Sequence, residues 1–230
     1  MSEDSCDPLA SFSGTARLFP LPNVVLFPQA IQPLHMFEPR YRQMTVDALA
    51  DDRLIALVLL QPGWEAAYAD TPEICSVACL GQIVAEQSLP DGRYNLLLRG
   101  LKRVSIEQEI PRVRAYRSAR VRLLEDVAMP KGGLRAELRG RLRRLVNAWL
   151  GGQKEARDQF RKLFRSDLTL GVLCDIVAFA LPLEMAIKQA LLEELDVERR
   201  ARLLMEHLDS SPGAKVTSAG RKFPPDFSAN

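Results

Sequence analysis

Leu18-Phe-Pro-Leu-Pro-Asn-Val-Val-Leu-Phe-Pro-Gln-Ala-Ile-Gln-Pro-Leu-His-Met-Phe-Glu-Pro-Arg-Tyr-Arg42 combines dense proline with large apolar side chains and ends in a charged and aromatic cluster. Pro20, Pro22, Pro28, Pro33 and Pro39 punctuate it. Proline fixes φ and lacks a backbone donor, so regular helix is excluded and any strand here must be short or lie at an edge. Yet Val24, Val25, Leu26, Phe27, Ile31, Leu34, Met36 and Phe37 are too apolar to leave in water. A segment that is both rigid and this apolar predicts a buried, winding path through a β-domain.

Downstream, Pro39 suits the first turn of a helix, where a missing N–H costs nothing. Glu38 stands ready to accept from the open helix N-terminus. Tyr41, Met44, Ala48 and Leu49 recur at helical spacing, and Asp51-Asp52 closes the element. Leu54 to Leu60 is a continuous apolar run ended by Gln61-Pro62-Gly63, which predicts a buried strand and a turn. A loop over residues 61–76 then carries Trp64 and Tyr68, and aromatic side chains on a loop are a sign of a binding surface. Leu80 to Gln87 reads as a strand, Leu89-Pro-Asp-Gly-Arg93 as a tight turn, and Tyr94 to Arg99 as the returning strand. Gly100 is expected to let the chain turn again. Arg103 to Glu107 and Tyr116 to Leu124 alternate polar and apolar residues, as half-buried strands do. Strands so closely spaced predict an antiparallel sheet curled toward a barrel.

Past Asp126 the period changes from two to 3.6. Leu134, Leu138, Leu142, Leu145 and Trp149 form one apolar stripe, stopped by Gly151-Gly152. A second helix is predicted from Glu155 to Arg165, and a third, capped by Asp167, through Leu170, Leu173, Ile176, Val177 and Leu181. Pro182 breaks it and opens a helix through Met185 and Leu192; Asp196 caps a last one through Leu208. The chain is thus read as α+β: a disordered tail over 1–14, a β-rich part over 15–126, a helical part over 127–209 and a flexible tail over 210–230.

Composition excludes several classes. The chain has 230 residues, 47% hydrophobic and 26% charged, which is ordinary for a globular protein with a real core. A net charge of +2 is too mild to imply nucleic acid by itself. Residues 1–8 lack the basic-then-apolar order of a signal peptide, and no apolar run spans a bilayer, so a soluble cytoplasmic protein without membrane contact is expected. Cys6, Cys75, Cys79 and Cys174 are too sparse for a disulfide framework. Cys75-x-x-x-Cys79 lacks two further local ligands for zinc, so neither metal nor cofactor is expected.

The opening segment resembles the start of the Lon substrate-binding domain, the N-terminal module of the Lon ATP-dependent proteases. Gly81-Gln-Ile followed by Asp91-Gly-Arg-Tyr-Asn-Leu-Leu-Leu-Arg-Gly-Leu-Lys-Arg-Val-Ser-Ile106 looks like a second signature of that family. Asp175 through Glu184 and Lys188 through Leu204 are similar to its helical part, so the resemblance covers about residues 17–207. It implies a β-pseudobarrel of the PUA-like type followed by an all-helical bundle. The chain carries no G-x-x-x-x-G-K-[S/T] loop and no G-x-S-x-G elbow. The expectation is therefore a stand-alone substrate-binding module without ATPase or peptidase domains, and no catalytic residue.

The function expected is recognition of a client polypeptide or partner protein, by a groove or an exposed sheet edge that takes an extended chain. Trp64, Tyr68, Phe37, Glu38, Arg40 and Tyr41 are the candidate contact residues. Glu38, Arg40 and Arg42 are also read as satisfying one another, and His35 as a satisfied core histidine. The alternative is RNA binding by the basic stretch 131–165, where eleven basic residues stand against three acidic ones. Arg135, Arg139 and Arg143 are the candidates there for an anionic partner. Interleaved aromatics for base stacking are missing from that stretch. Oligomeric state has no signature in the sequence.

Overall fold

A computed structural model describes residues 7–10, 12–67, 71–111, 113–130 and 132–210. They divide into two compact units, one ending at Leu124 and the other beginning at Glu125. The first holds β1 (Thr15–Leu21), β2 (Ile31–Met36), α1 (Pro39–Leu49), β3 (Leu54–Leu59), β4 (Val77–Ser88), β5 (Tyr94–Ile110) and β6 (Arg117–Leu123). The strand order is β2-β5-β4-β3-β1-β6, and β5 also pairs with β6. That second pairing closes five strands into a ring, with β2 outside it on β5. The sheet is mixed, because β1 and β3 run parallel while the other pairings are antiparallel. An all-antiparallel sheet was the expectation. The difference arises because α1 returns the chain to the end of the sheet where β1 began.

The proline-rich segment builds two of these strands. Pro20 sits in β1 opposite Val58, past the β1–β6 ladder, which covers only Thr15 to Leu18, so its missing donor breaks no bond there. Pro33 sits in β2, the edge strand. Ala16, Leu18, Leu54, Ala56, Val58, Ala78, Leu80, Val104, Ala119 and Val121 form one core cluster. Leu9 and Phe12 pack against that cluster, so the described part of residues 7–14 is anchored, contrary to the disordered tail expected. β3 is buried along its whole length. Its odd-numbered residues share the opposite layer with Phe19, whose ring meets Tyr41 of α1 edge-on at 4.5 Å. β5 runs unbroken through Gly100, where a turn was expected. Gly100 N–H donates to Ala30 O and Gln29 N–H donates to Gly100 O, both at 2.8 Å. A Cβ at Gly100 would run into the Phe27 carbonyl, so the glycine serves close backbone approach.

The second unit is helical: α2 (Gly133–Leu150), α3 (Lys154–Arg165), α4 (Leu170–Ala180), α5 (Met185–Glu193) and α6 (Val197–Ser210). α6 packs on α2 and α4, α3 on α2, and α5 on α4. The buried stripe of α2 is Leu138, Leu142, Val146, Trp149 and Leu150, while Leu134 is exposed. Asp196 caps α6, accepting from Arg199 N–H at 3.0 Å. α4 is capped by Thr169, which accepts from Val172 N–H, where the sequence suggested Asp167. Arg200 of α6 is fully buried. It pairs with Asp126, donates to Glu194 O at 2.9 Å and lies 3.4 Å from Asp175, itself buried. A Cβ at Gly171 would sit 2.9 Å from the Arg200 guanidinium, which explains a glycine inside α4. The tail predicted over 210–230 lies, beyond Ser210, outside the described residues.

Candidate functional site

The register of β2, β5 and β4 decides what the first unit offers to a partner. Ile31 pairs with Arg99, Pro33 with Leu97 and His35 with Asn95, while Arg99 faces Gln82, and Leu97 faces Ala85 across a bulge at Val84. Residues that pair share a face. Leu34, Met36, Leu96, Leu98 and Ile83 take the buried side. The other side carries Ile31, His35, Phe37, Asn95, Leu97, Arg99 and Val84. Ile31 is 44% and Val84 42% exposed, a bulky aliphatic pair left open where the core side is closed. A partly apolar sheet face rimmed by polar side chains is the form of a polypeptide-contact surface.

His35 lies on that face, half-buried, and not in the core as the sequence suggested. Its Nδ1 is 2.8 Å from Asn95 Oδ1 and its Nε2 is 3.3 Å from Arg93 Nη1. A guanidinium only donates, so Nε2 accepts and Nδ1 carries the proton to Asn95. The ring stacks on Phe37 at 6.1 Å between centroids. Asn95 in turn donates to Gln87 Oε1 at 3.3 Å. These bonds fix Phe37 and His35 in a defined orientation at one end of the face.

The edge of β2 offers less than its position suggests. Gly100 N–H donating to Ala30 O sets the phase of the ladder, and antiparallel partners alternate between bonded and unbonded pairs. The backbone groups of Gln32, Leu34 and Met36 therefore turn to β5, and those of Ile31, Pro33 and His35 turn outward. Pro33 has no N–H to give. Its outward carbonyl accepts from Gln32 Nε2 at 2.8 Å. The middle of the edge is thus closed to an added strand, so of the two expected routes for an extended chain, the edge is blocked and the face remains.

The candidate residues from the sequence do not form one cluster. Phe37 lies on the face, and Glu38 and Arg40 follow it. Glu38 does not cap α1; its carboxylate takes Arg40, at 2.9 Å from Nε and 2.8 Å from Nη2. Tyr41 is 5% exposed and packed on Phe19, with the Arg40 guanidinium 4.6 Å over its ring. Trp64 is half-buried and opens a short 3-10 turn, Trp64–Ala67, after β3. That turn is level with the start of β4, while Met36 and Tyr94 are level with its end. The 12 residues of β4 put roughly 35 Å of strand between them. Tyr68 lies outside the described residues.

Charge around the face is uneven. Glu38 is held by Arg40, Asp91 by Arg93 at 2.6 Å and Glu86 by Arg53. The hydrogen bond from Arg93 holds the Asp91 carboxyl below the usual range. Arg42 lies against Gly92 of the β4–β5 turn, so closely that a Cβ there would clash with it. Arg99 reaches Gln82 Oε1 at 3.4 Å, and its Nε is buried with no hydrogen-bond partner among the described residues. Sequence reasoning passed over Arg99, Ile31 and Val84, because burial and register, rather than residue type, set them apart.

In the helical unit the basic stretch is largely spent on the fold. Arg139 Nε and Nη2 donate to Phe164 O, and further N–H groups reach Ser166 O and Leu168 O, closing the end of α3. Arg135 donates to Met129 O at 2.6 Å. Arg143 is exposed. A shallow depression lined by Arg141, Arg202, Met205, Glu206, Asp209 and Ser210 lies between α2 and α6. Among the described residues no three His, Cys, Asp or Glu side chains are grouped to hold a metal ion, and no helix is long and apolar enough to cross a membrane.

Comparison with known proteins follows the same lines. Residues 15–210 match the model of the ATP-dependent protease La (LON) substrate-binding domain. Lon protease 2 of Herpetosiphon aurantiacus is 30% identical over 190 residues, covering 81% of this chain and 23% of that protein. Lon protease of Trichlorobacter lovleyi is 30% identical over 213 residues, covering 89% and 26%. The chain therefore spans about a quarter of the length of the curated relatives it matches. Among solved structures, a Lon N-terminal domain protein from Xanthomonas campestris matches with a TM-score of 0.61 at 23% identity, covering 84% of this chain and 97% of that one. The N-terminal domain of the Mycobacterium avium complex Lon protease matches at 0.65 and 18% identity, covering 85% and 98%. The fold of these neighbours is that of the present chain: α+β, with a helical C-terminal region.

Proposed function

The chain belongs to the Lon substrate-binding domain family, and from that membership we propose that it is a non-enzymatic module that recognises polypeptide clients. The contact surface is the outer face of β2, β5 and β4, where Phe37 contributes from the sequence-derived candidates. The observation that carries this reading is the pair Ile31 and Val84, open on a face whose edge is closed by Pro33 and Gln32. A closed edge favours recognition through side chains, with apolar residues of the client laid across the strands. Cys75, Cys79 and Cys174 form no disulfide among the described residues, which suits a cytoplasmic site of action. The RNA-binding alternative has less support, since Arg135 and Arg139 are committed to backbone carbonyls.

The test is binding of a fluorescein-labelled, permanently unfolded protein, such as reduced and carbamidomethylated lactalbumin, followed by anisotropy. Binding is expected, with at least a tenfold loss in the doubly substituted Ile31→Ser, Val84→Ser protein. Both positions are exposed, so the fold should survive. Unchanged affinity in that variant, or no binding by the unsubstituted protein, would count against the proposal.

A further inference from the structure

The charge around the outer face carries the reading one step further, and this step rests on the proposal that the face binds polypeptide. Among the described residues, the acids at the end of the face each hold an arginine already: Glu38 with Arg40 and Asp91 with Arg93. Two guanidinium groups are left over. Arg99 projects from β5 level with the exposed Ile31, and its guanidinium donates to the neutral amide of Gln82. Its Nε is removed from solvent and unpartnered among the described residues, which leaves a strong donor unsatisfied. Arg42 lies over the β4–β5 turn beside Arg93, at the end of the face where His35 and Phe37 stack. Apolar residues thus run between two cationic ends.

We propose that the preferred occupant is an extended polypeptide segment with apolar side chains flanked by carboxylates. The apolar residues would cover Ile31, Leu97 and Val84, and the flanking Asp or Glu groups would take Arg99 and Arg42. A guanidinium offers a planar fork that matches a carboxylate with two parallel hydrogen bonds. Flanking lysines would meet cations of their own sign, which costs affinity and sets selectivity.

Three fluorescein-labelled peptides of about fifteen residues test this, sharing one apolar centre and differing only in flanks of Asp, Ser or Lys. Anisotropy at low salt should give the Asp-flanked peptide at least tenfold higher affinity than the Lys-flanked one. That preference should shrink as salt rises. The doubly substituted Arg42→Gln, Arg99→Gln protein should lose the preference, binding the three peptides with affinities within about twofold of one another, and Arg42→Gln, Arg99→Lys should restore part of it. Circular dichroism of each variant separates loss of charge from loss of fold. Equal affinity for all three peptides would overturn the acid preference and leave the polypeptide-binding proposal standing. Failure of all three to bind would remove that proposal itself. A preference that survives in the double variant but disappears on Arg143→Gln would also overturn the inference, by moving the acceptor to α2.

Discussion

At the scale of the residue, the fold rests on polar side chains whose partners lie far off in the chain. Arg17 of β1 donates to Asp51 and Asp52, each at 2.6 Å, so the acid pair that the sequence offers as a helix end also ties α1 to the sheet. Tyr116 is 6% exposed and donates to Asp47 at 2.7 Å. Burial, and then the hydrogen bond to Asp47, pushes its phenol above the ordinary value near 10. A raised acid pKa in the fold gives stability that is fully present below about pH 10 and lost as pH rises through the folded value, because the unfolded chain releases the proton first. Urea denaturation between pH 8 and 11 should show this fall, and Tyr116→Phe should flatten it while costing about 1 kcal/mol at pH 8. An equally steep fall in the variant would assign the effect to other groups. Gly100→Ala should destabilise by about 1–3 kcal/mol, since its methyl group has only the Phe27 carbonyl to move into. The glycine is visible in the sequence; its reason is not, because the backbone it meets lies more than seventy positions earlier.

At the scale of the element, the helices were legible where their signals are local. The change of period after Asp126, the stop at Gly151 and the Asp196 cap are properties of neighbouring residues, and each appears in the structure. Thr169 displaces Asp167 as the cap of α4 because it directly precedes the first helical residue, Leu170, and its hydroxyl accepts from Val172 N–H. Thr169→Ala should therefore lower stability by about 1 kcal/mol, while Asp167→Ala should have little effect; thermal unfolding of the two variants compares them. Strand order was harder to read. The parallel β1–β3 pairing and the unbroken β5 are set by contacts across the sheet, and a period of two says nothing about which strand lies alongside. The prolines require a short strand or an edge strand, and Pro33 lies in the edge strand β2, but that the edge is also closed depends on a Gln32 side chain folding back on its neighbour. Among the candidate contact residues, Phe37 reaches the face, while Tyr41 is taken up by the core. A sequence shows that an aromatic is present and leaves open which side of the chain it takes.

At the scale of the whole molecule, the family was legible because scaffold residues carry its signature. In this chain prolines, buried aliphatics and a glycine at a close approach carry it. The contact face depends on which side chains remain open after folding, so it could only be read from register and burial. The helical unit has its own centre in Arg200, 1% exposed at its side chain, between Asp126 and Asp175. Removing one member of a buried ionic group strands the others, so Arg200→Ala should cost about 3–5 kcal/mol in denaturant unfolding. A loss under 1 kcal/mol would mean that water already reaches the group. The central claim is that the outer face of β2, β5 and β4 is where a polypeptide is met. Backbone amide chemical shifts, followed by NMR as a reduced and carbamidomethylated unfolded protein is titrated in, test it most directly. Shifts should concentrate at Ile31, His35, Phe37, Asn95, Leu97 and Arg99. Shifts confined to α2 and α3, or none at all at saturating concentration, would contradict it.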